Sequence, residues 1–388
     1  MPDKEAKMIG IGINTGTSAD AIDVAIVDFN DMFPNTSIKL LWSGSYPYPV
    51  KLKRLFLKLV DHGDRYTSQA WFSTMGSFDT ELGIAFADAV LKSIKTYGIK
   101  IQNINFIGSH GQTVWHAPAG TSKAQGYGTT IQLGNPSVIA VRTGIPVVAD
   151  FREKDVANNG QGAPLSPILH FELFKALAPV GVLNIGGIAN LTIIPSDRDF
   201  LKVYGFDTGP GNRLIDIAVE VITNGRKHFD ESGKLAKKGI VISTALTRLM
   251  RDPFVRKRPP KSTGREYYNL EYIKAHGLSL YNIETISTLT AFTSHAIVFN
   301  IKHFVKTPIK RLIVSGGGVK NRMLIAQLSG LLPDIQIIPV EKLGYKYRDI
   351  EPMLFSFLGY IGFNKVPINL KHITGSSTAF VPGAIYYP

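Results

Sequence analysis

Two stretches of this chain pass through the same order of elements, and that order limits the fold more than any other feature. Residues 9–13 and 23–29 are apolar, β-branched runs joined by a turn of glycine, threonine, serine and aspartate, which predicts a hairpin. Residues 38–46 supply a third strand. Phe78, Leu82, Phe86 and Val90 then share one face of a helix over 78–96, and 105–108 forms another short strand. The pattern restarts at 181–185, a buried-strand run that ends in Gly186 and Gly187. Residues 189–194 are its hairpin partner, and 202–206 form the third strand, ending at Asp207. Helices follow over 212–223 and 283–304, with strands at 311–315 and 336–339 and a last helix over 352–364.

Two rounds of hairpin, third strand, helix and strand predict a duplicated α/β unit rather than one continuous Rossmann sheet. The duplication rests on element order alone, because no simple sequence repeat accompanies it. The expected division puts residues 1–145 with 372–388 in a first lobe and 146–371 in a second. At 388 residues the chain is long enough for two cores.

Composition narrows the class. Hydrophobic residues make up 44% and charged residues 19%, the balance of a globular protein rather than a disordered one. No apolar run reaches the roughly 18 residues of a membrane span. The short charged start leads directly into a strand, so neither signal peptide nor membrane is expected, and the cytoplasm is the expected compartment. Without cysteine, disulfides and thiolate zinc sites are excluded. The net charge of +13 fits either nucleic acid or attraction of an anionic substrate. The densest basic cluster, residues 251–261 with Arg256, Lys257 and Arg258, is broken by prolines and holds Phe254 as its sole aromatic. It reads as a solvated loop, so no nucleic-acid partner is expected.

Four turns carry candidate chemistry. The first, Asn14 to Asp23 through Gly16, Thr17, Ser18 and Asp20, offers backbone amides and hydroxyls to an anion, or is a β-turn built of turn-formers. It lacks the Gly-Lys-Ser/Thr ending of a P-loop, which argues against a Walker-type NTPase. The second, Gly186-Gly187 with Asn190, occupies the equivalent place in the second unit and allows close phosphate approach or a tight hairpin. In the third, Asp207 stands at a strand end before Gly209, Pro210, Gly211 and Asn212. A carboxylate there suits a general base, a metal-linked acid or the cap of the next helix. The fourth, Gly316-Gly317-Gly318, lets backbone pack on a ring or a phosphate, or is a flexible turn before a helix starting at Asn321.

His110 and His116, six residues apart without a third clustered ligand, fit hydrogen bonding or packing better than a metal. Around them Gln112, Thr113 and Trp115 offer hydrogen bonds beside an aromatic face, which suits a sugar. Glu351 precedes Pro352 and a mostly apolar helix, so it is expected at the N-cap. Glutamate caps poorly, which favours another role such as a magnesium ligand.

These stretches, taken together, resemble the anhydro-N-acetylmuramic acid kinases and their relatives, the levoglucosan kinases. The matching segments begin at Gly16 and His110, continue through Asp150-Phe151-Arg152, Gly160 to Leu165, Asn184 to Asn190 and Asp207 to Asn212, and end with Pro259 to Glu266 and Gly316. They cover nearly the whole chain. The resemblance implies a two-domain actin-like ATPase fold, RNase H-like and duplicated, with ATP and Mg²⁺ in an interdomain cleft. It implies that water attacks the anomeric carbon, the 1,6-anhydro bridge opens, and O6 receives the γ-phosphoryl of ATP. Asp207 matches the catalytic general base and also falls among the sugar and metal contacts; Glu351 matches the metal-associated acid. Gly16, Thr17, Ser18, Asp20, Gly186, Gly187, Asn190, Gly209, Gly211, Asn212, Gly316, Gly317 and Gly318 match the ATP site. Thr113 and Arg152 match the sugar site. The chain departs from the family at Ala21, where glycine is usual, and at Pro352, where a small residue is usual. The expected partners are ATP and an anhydro sugar, muramic or plain, and the oligomeric state, homodimer included, is left open.

Overall fold

A computed structural model describes residues 7–16, 19–61, 67–120, 126–264 and 267–388. Two compact units emerge, residues 1–173 with 348–388 and residues 174–347.

In the first unit, β1 (Met8–Thr15), β2 (Ala21–Asn30) and β3 (Ser37–Pro47) form an antiparallel meander. Parallel to β1 runs β4 (Phe106–Ser109), and parallel to β4 runs β7 (Val147–Ala149). The C-terminal β13 (Ala384–Tyr386) closes the edge, giving the order β13-β7-β4-β1-β2-β3. A separate hairpin pairs β5 (Gln112–Ala117) with β6 (Thr129–Leu133). The helices are α1 (Val50–Asp61), α2 (Ser68–Tyr97), α3 (Pro136–Thr143), α4 (Phe151–Ala157), α5 (Ser166–Phe174) and, far along the chain, α12 (Ile350–Phe363).

The second unit repeats the plan. Here β8 (Val180–Ile185), β9 (Ile188–Ile194) and β10 (Tyr204–Pro210) form the meander, with β11 (Arg311–Ser315) and β12 (Gln336–Pro339) added in parallel. Its sheet order, β10-β9-β8-β11-β12, reproduces β3-β2-β1-β4-β7 strand for strand and direction for direction. This is the duplicated RNase H-like arrangement of the actin-like fold, and the α/β class expected from element order is present. Its helices are α6 (Arg213–Ile222), α7 (Ser243–Leu249), α8 (Pro253–Arg256), α9 (Leu270–Ala275), α10 (Ile283–Phe304) and α11 (Arg322–Leu331).

The sequence explains these elements locally. The stripe Phe78, Leu82, Phe86, Val90 of α2 is wholly buried against Ile11, Ile13 and Ile26 in one core. Thr67 caps that helix by accepting from the Ala70 amide, and Gly98 ends it in the left-handed conformation. Helix α12, apolar on every side, is buried from Pro352 to Gly362. It lies so close to the first sheet that a Cβ at Gly12 would sit 1.8 Å from Pro352 O, and one at Gly108 1.9 Å from Phe355 O. Glycine at these two strand positions thus sets the height of α12, and with it the place of Glu351.

Several expectations shift. The expected boundaries near 146 and 371 fall inside the first unit, because β7 pairs with β4 and α12 packs on β1, β2 and β4. Lys202 lies in a helical turn, Phe200–Lys202, and β10 begins at Tyr204. That strand does not stop at Asp207; it runs to Pro210 through a bulge opposite β9. Among the described residues no helix is long and apolar enough to cross a membrane.

Candidate active site

In the first unit, sheet register aligns Asn14 of β1 with Asp23 of β2, and Asp23 with Ser45 of β3. The buried Asn14 donates through Nδ2 to Glu351 Oε2. Glu351 is not the N-cap. Asp349 takes that place, and Glu351 stands second in the helix with Pro352 third, where the missing N–H costs no helical bond. The Glu351 side chain keeps a solvent-open face while protein crowds around it. Loss of solvation pushes its pKa up, helped by the Asp23 charge and opposed by the Asn14 bond and the Arg152 charge. Asp23 is likewise raised by lost solvation, against a hydrogen bond from Ser45; among the described residues its Oδ1 accepts no hydrogen bond, and Arg348 Nη1 lies 3.8 Å from it.

This donor set fits a hard divalent cation. Carboxylate and amide oxygens are the ligands Mg²⁺ takes, and a cation would relieve the electrostatic cost that raises both acids. Among the described residues no group of three acidic or histidine side chains forms a ready cage. Mg²⁺ commonly binds through one or two carboxylates plus phosphate oxygens, so such a cage is not required.

Around the first turn, Thr15 Oγ1 donates to Gln112 Oε1 at 3.3 Å, and Gln112 Nε2 donates to Gly16 O at 3.4 Å. The exposed Asp20 carboxylate is paired with Lys53 Nζ at 2.6 Å. Thr17 and Ser18 lie outside the described residues. Beyond the turn, Arg152 donates from Nε to His110 Nε2 at 2.9 Å and from Nη1 to Gly162 O at 2.7 Å. Burial and the Arg152 charge hold His110 well below the ordinary histidine pKa, so its ring is a neutral acceptor. His116 bonds Thr130 through Nδ1 at 3.0 Å. Each histidine thus makes a ring hydrogen bond, His110 to Arg152 and His116 to Thr130. Thr113, half-buried at a bulge of the β5–β6 hairpin, accepts from Gln132 Nε2 at 3.3 Å, and Trp115 is exposed nearby in sequence.

In the second unit, register places Ser315, Asn184, Asn190 and Asp207 in one row across β11, β8, β9 and β10. It is the counterpart of the Asn14–Asp23–Ser45 row. Asn190 Oδ1 and Ser315 Oγ are buried without a hydrogen-bond partner among the described residues. Beside the row, the glycine turn and the start of α6 interlock: Gly211 and Arg213 donate amides to Gly187 O, and Asn212 donates its amide to Gly186 O. A Cβ at Gly211 would meet Gly186 O at 2.3 Å, so this glycine is needed for packing of the two turns. An added Cβ at Gly186 would meet Ile188 O at 3.5 Å and one at Gly187 the Arg213 Cβ at 3.8 Å, both ordinary contacts. Gly209 (φ +142°) and Gly316 (φ +81°) hold backbone conformations that favour glycine. Gly317 and Gly318 begin a helical turn, and α11 starts one residue later than expected, with Asn321 as its cap.

Asp207 is 9% exposed. Its Oδ2 accepts the Thr263 amide at 2.9 Å, and its own amide donates to Lys261 O at 3.1 Å. Asp207 is thus tied to the 261–263 loop through both its carboxylate and its amide. Lys261 itself corrects the reading of 251–261 as solvated: Arg251, Arg256, Lys257 and Arg258 are exposed, but Lys261 is buried. Sequence reasoning placed Asn14, Asp23 and Asn184 within candidate segments without an individual role, and passed over Ser315. Their common signal was a polar residue near the open end of an otherwise apolar strand.

A sequence profile described as anhydro-N-acetylmuramic acid kinase matches residues 8–388. A protein of that name from Vibrio cholerae is 39% identical over 382 residues, covering 97% of this chain and 98% of the relative. Another from Caldanaerobacter subterraneus is 36% identical over 392 residues, covering 98% and 97%. Among solved structures, the (R)-2-hydroxyglutaryl-CoA dehydratase component A of Acidaminococcus fermentans aligns over 90% of this chain and 98% of its own, with a TM-score of 0.44 and 11% identity.

Proposed function

This chain belongs to the anhydro-N-acetylmuramic acid kinase family, and from that premise we propose that Asp207 is the general base of its reaction. The activity is ATP-dependent phosphorylation of anhydro-N-acetylmuramic acid, which yields N-acetylmuramic acid 6-phosphate. Water forms a bond to the anomeric carbon as the C1–O6 bond breaks. The proton of that water passes to Asp207, the freed O6 takes the γ-phosphoryl, and ADP leaves. The observation that carries the assignment is the backbone clamp on Asp207, which fixes one carboxylate oxygen on the Thr263 amide.

Arg152 is proposed to meet the lactyl carboxylate of the sugar, its orientation set by His110 and Gly162. Thr113 is proposed to contact the same ligand. The glycines at 186–187 and 316–318, with Gly16, Thr17, Ser18, Asp20, Asn190, Gly209, Gly211 and Asn212, are proposed for the nucleotide. Glu351 and Asp207 would hold Mg²⁺, which neutralises phosphate charge when bound. The cytoplasm, where ATP is supplied, is the proposed compartment.

The test is ADP release measured against anhydro-N-acetylmuramic acid, an unsubstituted 1,6-anhydrohexose and open-ring hexoses, with and without a chelator. The muramic sugar should give the highest kcat/KM, and chelation should abolish turnover. Equal kcat/KM for the plain anhydrohexose would replace the muramic substrate. Turnover of open hexoses alone would overturn the ring-opening chemistry.

A further inference from the structure

Lys261 is 5% exposed, yet its ammonium has no carboxylate in a salt bridge among the described residues. It donates instead to Phe254 O at 3.0 Å and Val255 O at 2.9 Å, two carbonyls of the short helix α8. The rings of Phe254 and Phe304 lie 4.9 and 5.3 Å from Nζ. Burial brings its pKa down to about 8, against the upward pull of Asp207 and Asp252. A charge kept in such a place is costly unless it fixes something.

What it fixes is the backbone beside Asp207. The carbonyl of Lys261 accepts the Asp207 amide, and two residues on, the Thr263 amide binds the Asp207 carboxylate. The other end of the brace is equally anchored. Val255 O also accepts from Asn300 Nδ2 at 3.3 Å, and the same Nδ2 donates to Thr208 O at 2.9 Å, one residue past Asp207. Asp252 caps α8 through the Val255 amide at 2.9 Å, and is itself held by the hydroxyls of Tyr267 and Tyr272 at 3.2 and 2.8 Å. The loop therefore holds Asp207 by its amide and its carboxylate, Asn300 links the next residue of β10 to α8, and one ammonium ties the loop to α8.

We propose that Lys261 is a positioning residue for the reaction, holding the 261–263 backbone so that the Thr263 amide keeps the Asp207 carboxylate in its reactive orientation. The proposal rests on the reading of Asp207 as general base. A misplacement of about 1 Å in a reacting group can cost on the order of 10²-fold in rate.

A double-mutant cycle separates this role from plain stabilisation. Lys261→Met should lower kcat by roughly 10- to 100-fold, with KM for ATP and sugar changed less than about threefold. Placed in an Asp207→Asn background, the same substitution should cost less than about twofold, since the group it positions is already gone. Circular dichroism establishes that each variant is folded. If Lys261→Met does not fold, Lys261→Gln, whose amide can still donate to one of the two carbonyls, carries the cycle. Equal losses in both backgrounds would overturn the positioning role while leaving Asp207 as base. A fully active Asp207→Asn would overturn both, and the two failures are told apart by that single variant.

Discussion

The Thr263 amide donates to Asp207 Oδ2 at 2.9 Å, across 56 residues of sequence, and this bond joins the carboxylate to the loop that follows Lys261. An asparagine at 207 can place its carbonyl oxygen in the same position and accept the same amide. Asp207→Asn should therefore fold normally and bind sugar and ATP nearly as well. It cannot take a proton from water, so turnover of the anhydro sugar should fall by roughly 10²–10⁴-fold. Steady-state ADP release checks this, and a folded variant that keeps more than about a tenth of wild-type kcat removes Asp207 from the base role.

The meanders were legible in the sequence because β-branched runs interrupted by glycine turns have few other solutions, and Asp207 and Glu351 stood out as acids at element ends. What escaped needed tertiary information. The strand through Thr208 and Pro210 exists because β9 offers a ladder past the bulge, which no local propensity announces. Lys261 reads as surface charge until the carbonyls of Phe254 and Val255 are brought to it. Short β7 and β13 carry too few residues for periodicity, and their pairing is set by chain segments more than 200 residues apart.

Gly186 offers a clean probe of nucleotide contact. An added Cβ there would meet only Ile188 O at 3.5 Å, an ordinary contact, so Gly186→Val should leave the fold intact. If phosphates approach this turn, branched methyl groups will fill their space, and ATP affinity should drop by about tenfold or more. Calorimetric titration with a non-hydrolysable ATP analogue reads the change. Wild-type affinity in a variant with unchanged melting would take the turn out of the nucleotide site.

Gly12 tests a different idea, that α12 is held at its height by missing side chains. Gly12→Ala forces Cβ against the backbone of Pro352 and Ser356, neither of which can rotate away. The loss should match or exceed the ~1–3 kcal/mol typical of overpacking. Activity should fall as well, because Glu351 travels with the helix. Gly76, exposed inside α2 with nothing within 4 Å, provides the opposite sign. Gly76→Ala should stabilise by about 0.5–1 kcal/mol. Denaturant titration of the two variants should move the transition in opposite directions, and a shift of the same sign for both would refute the packing argument.

His170 on α5 is 1% exposed, and burial pulls its pKa down to about 3 from the ordinary 6.5. The sign of its effect on stability follows from proton counting. Between those two values the unfolded chain carries a proton that the folded chain refuses, so acid favours unfolding. The contribution is fully present above pH ~6.5 and is lost progressively as pH falls toward about 3. Asp155, whose pKa burial raises, acts in the opposite sense above its unfolded value of 3.8, so the raw pH profile mixes the two. Comparing wild type with His170→Gln isolates the histidine, because every other group titrates in both proteins. From pH 7.5 to 5.5 the wild type should lose about 1.4 kcal/mol more unfolding free energy than the variant, the linkage for one site with an unfolded pKa near 6.5. Equilibrium urea unfolding at the two pH values measures this difference. Parallel losses would mean that the folded protein accepts a proton on His170, and that water or an acidic neighbour reaches the ring inside the first unit.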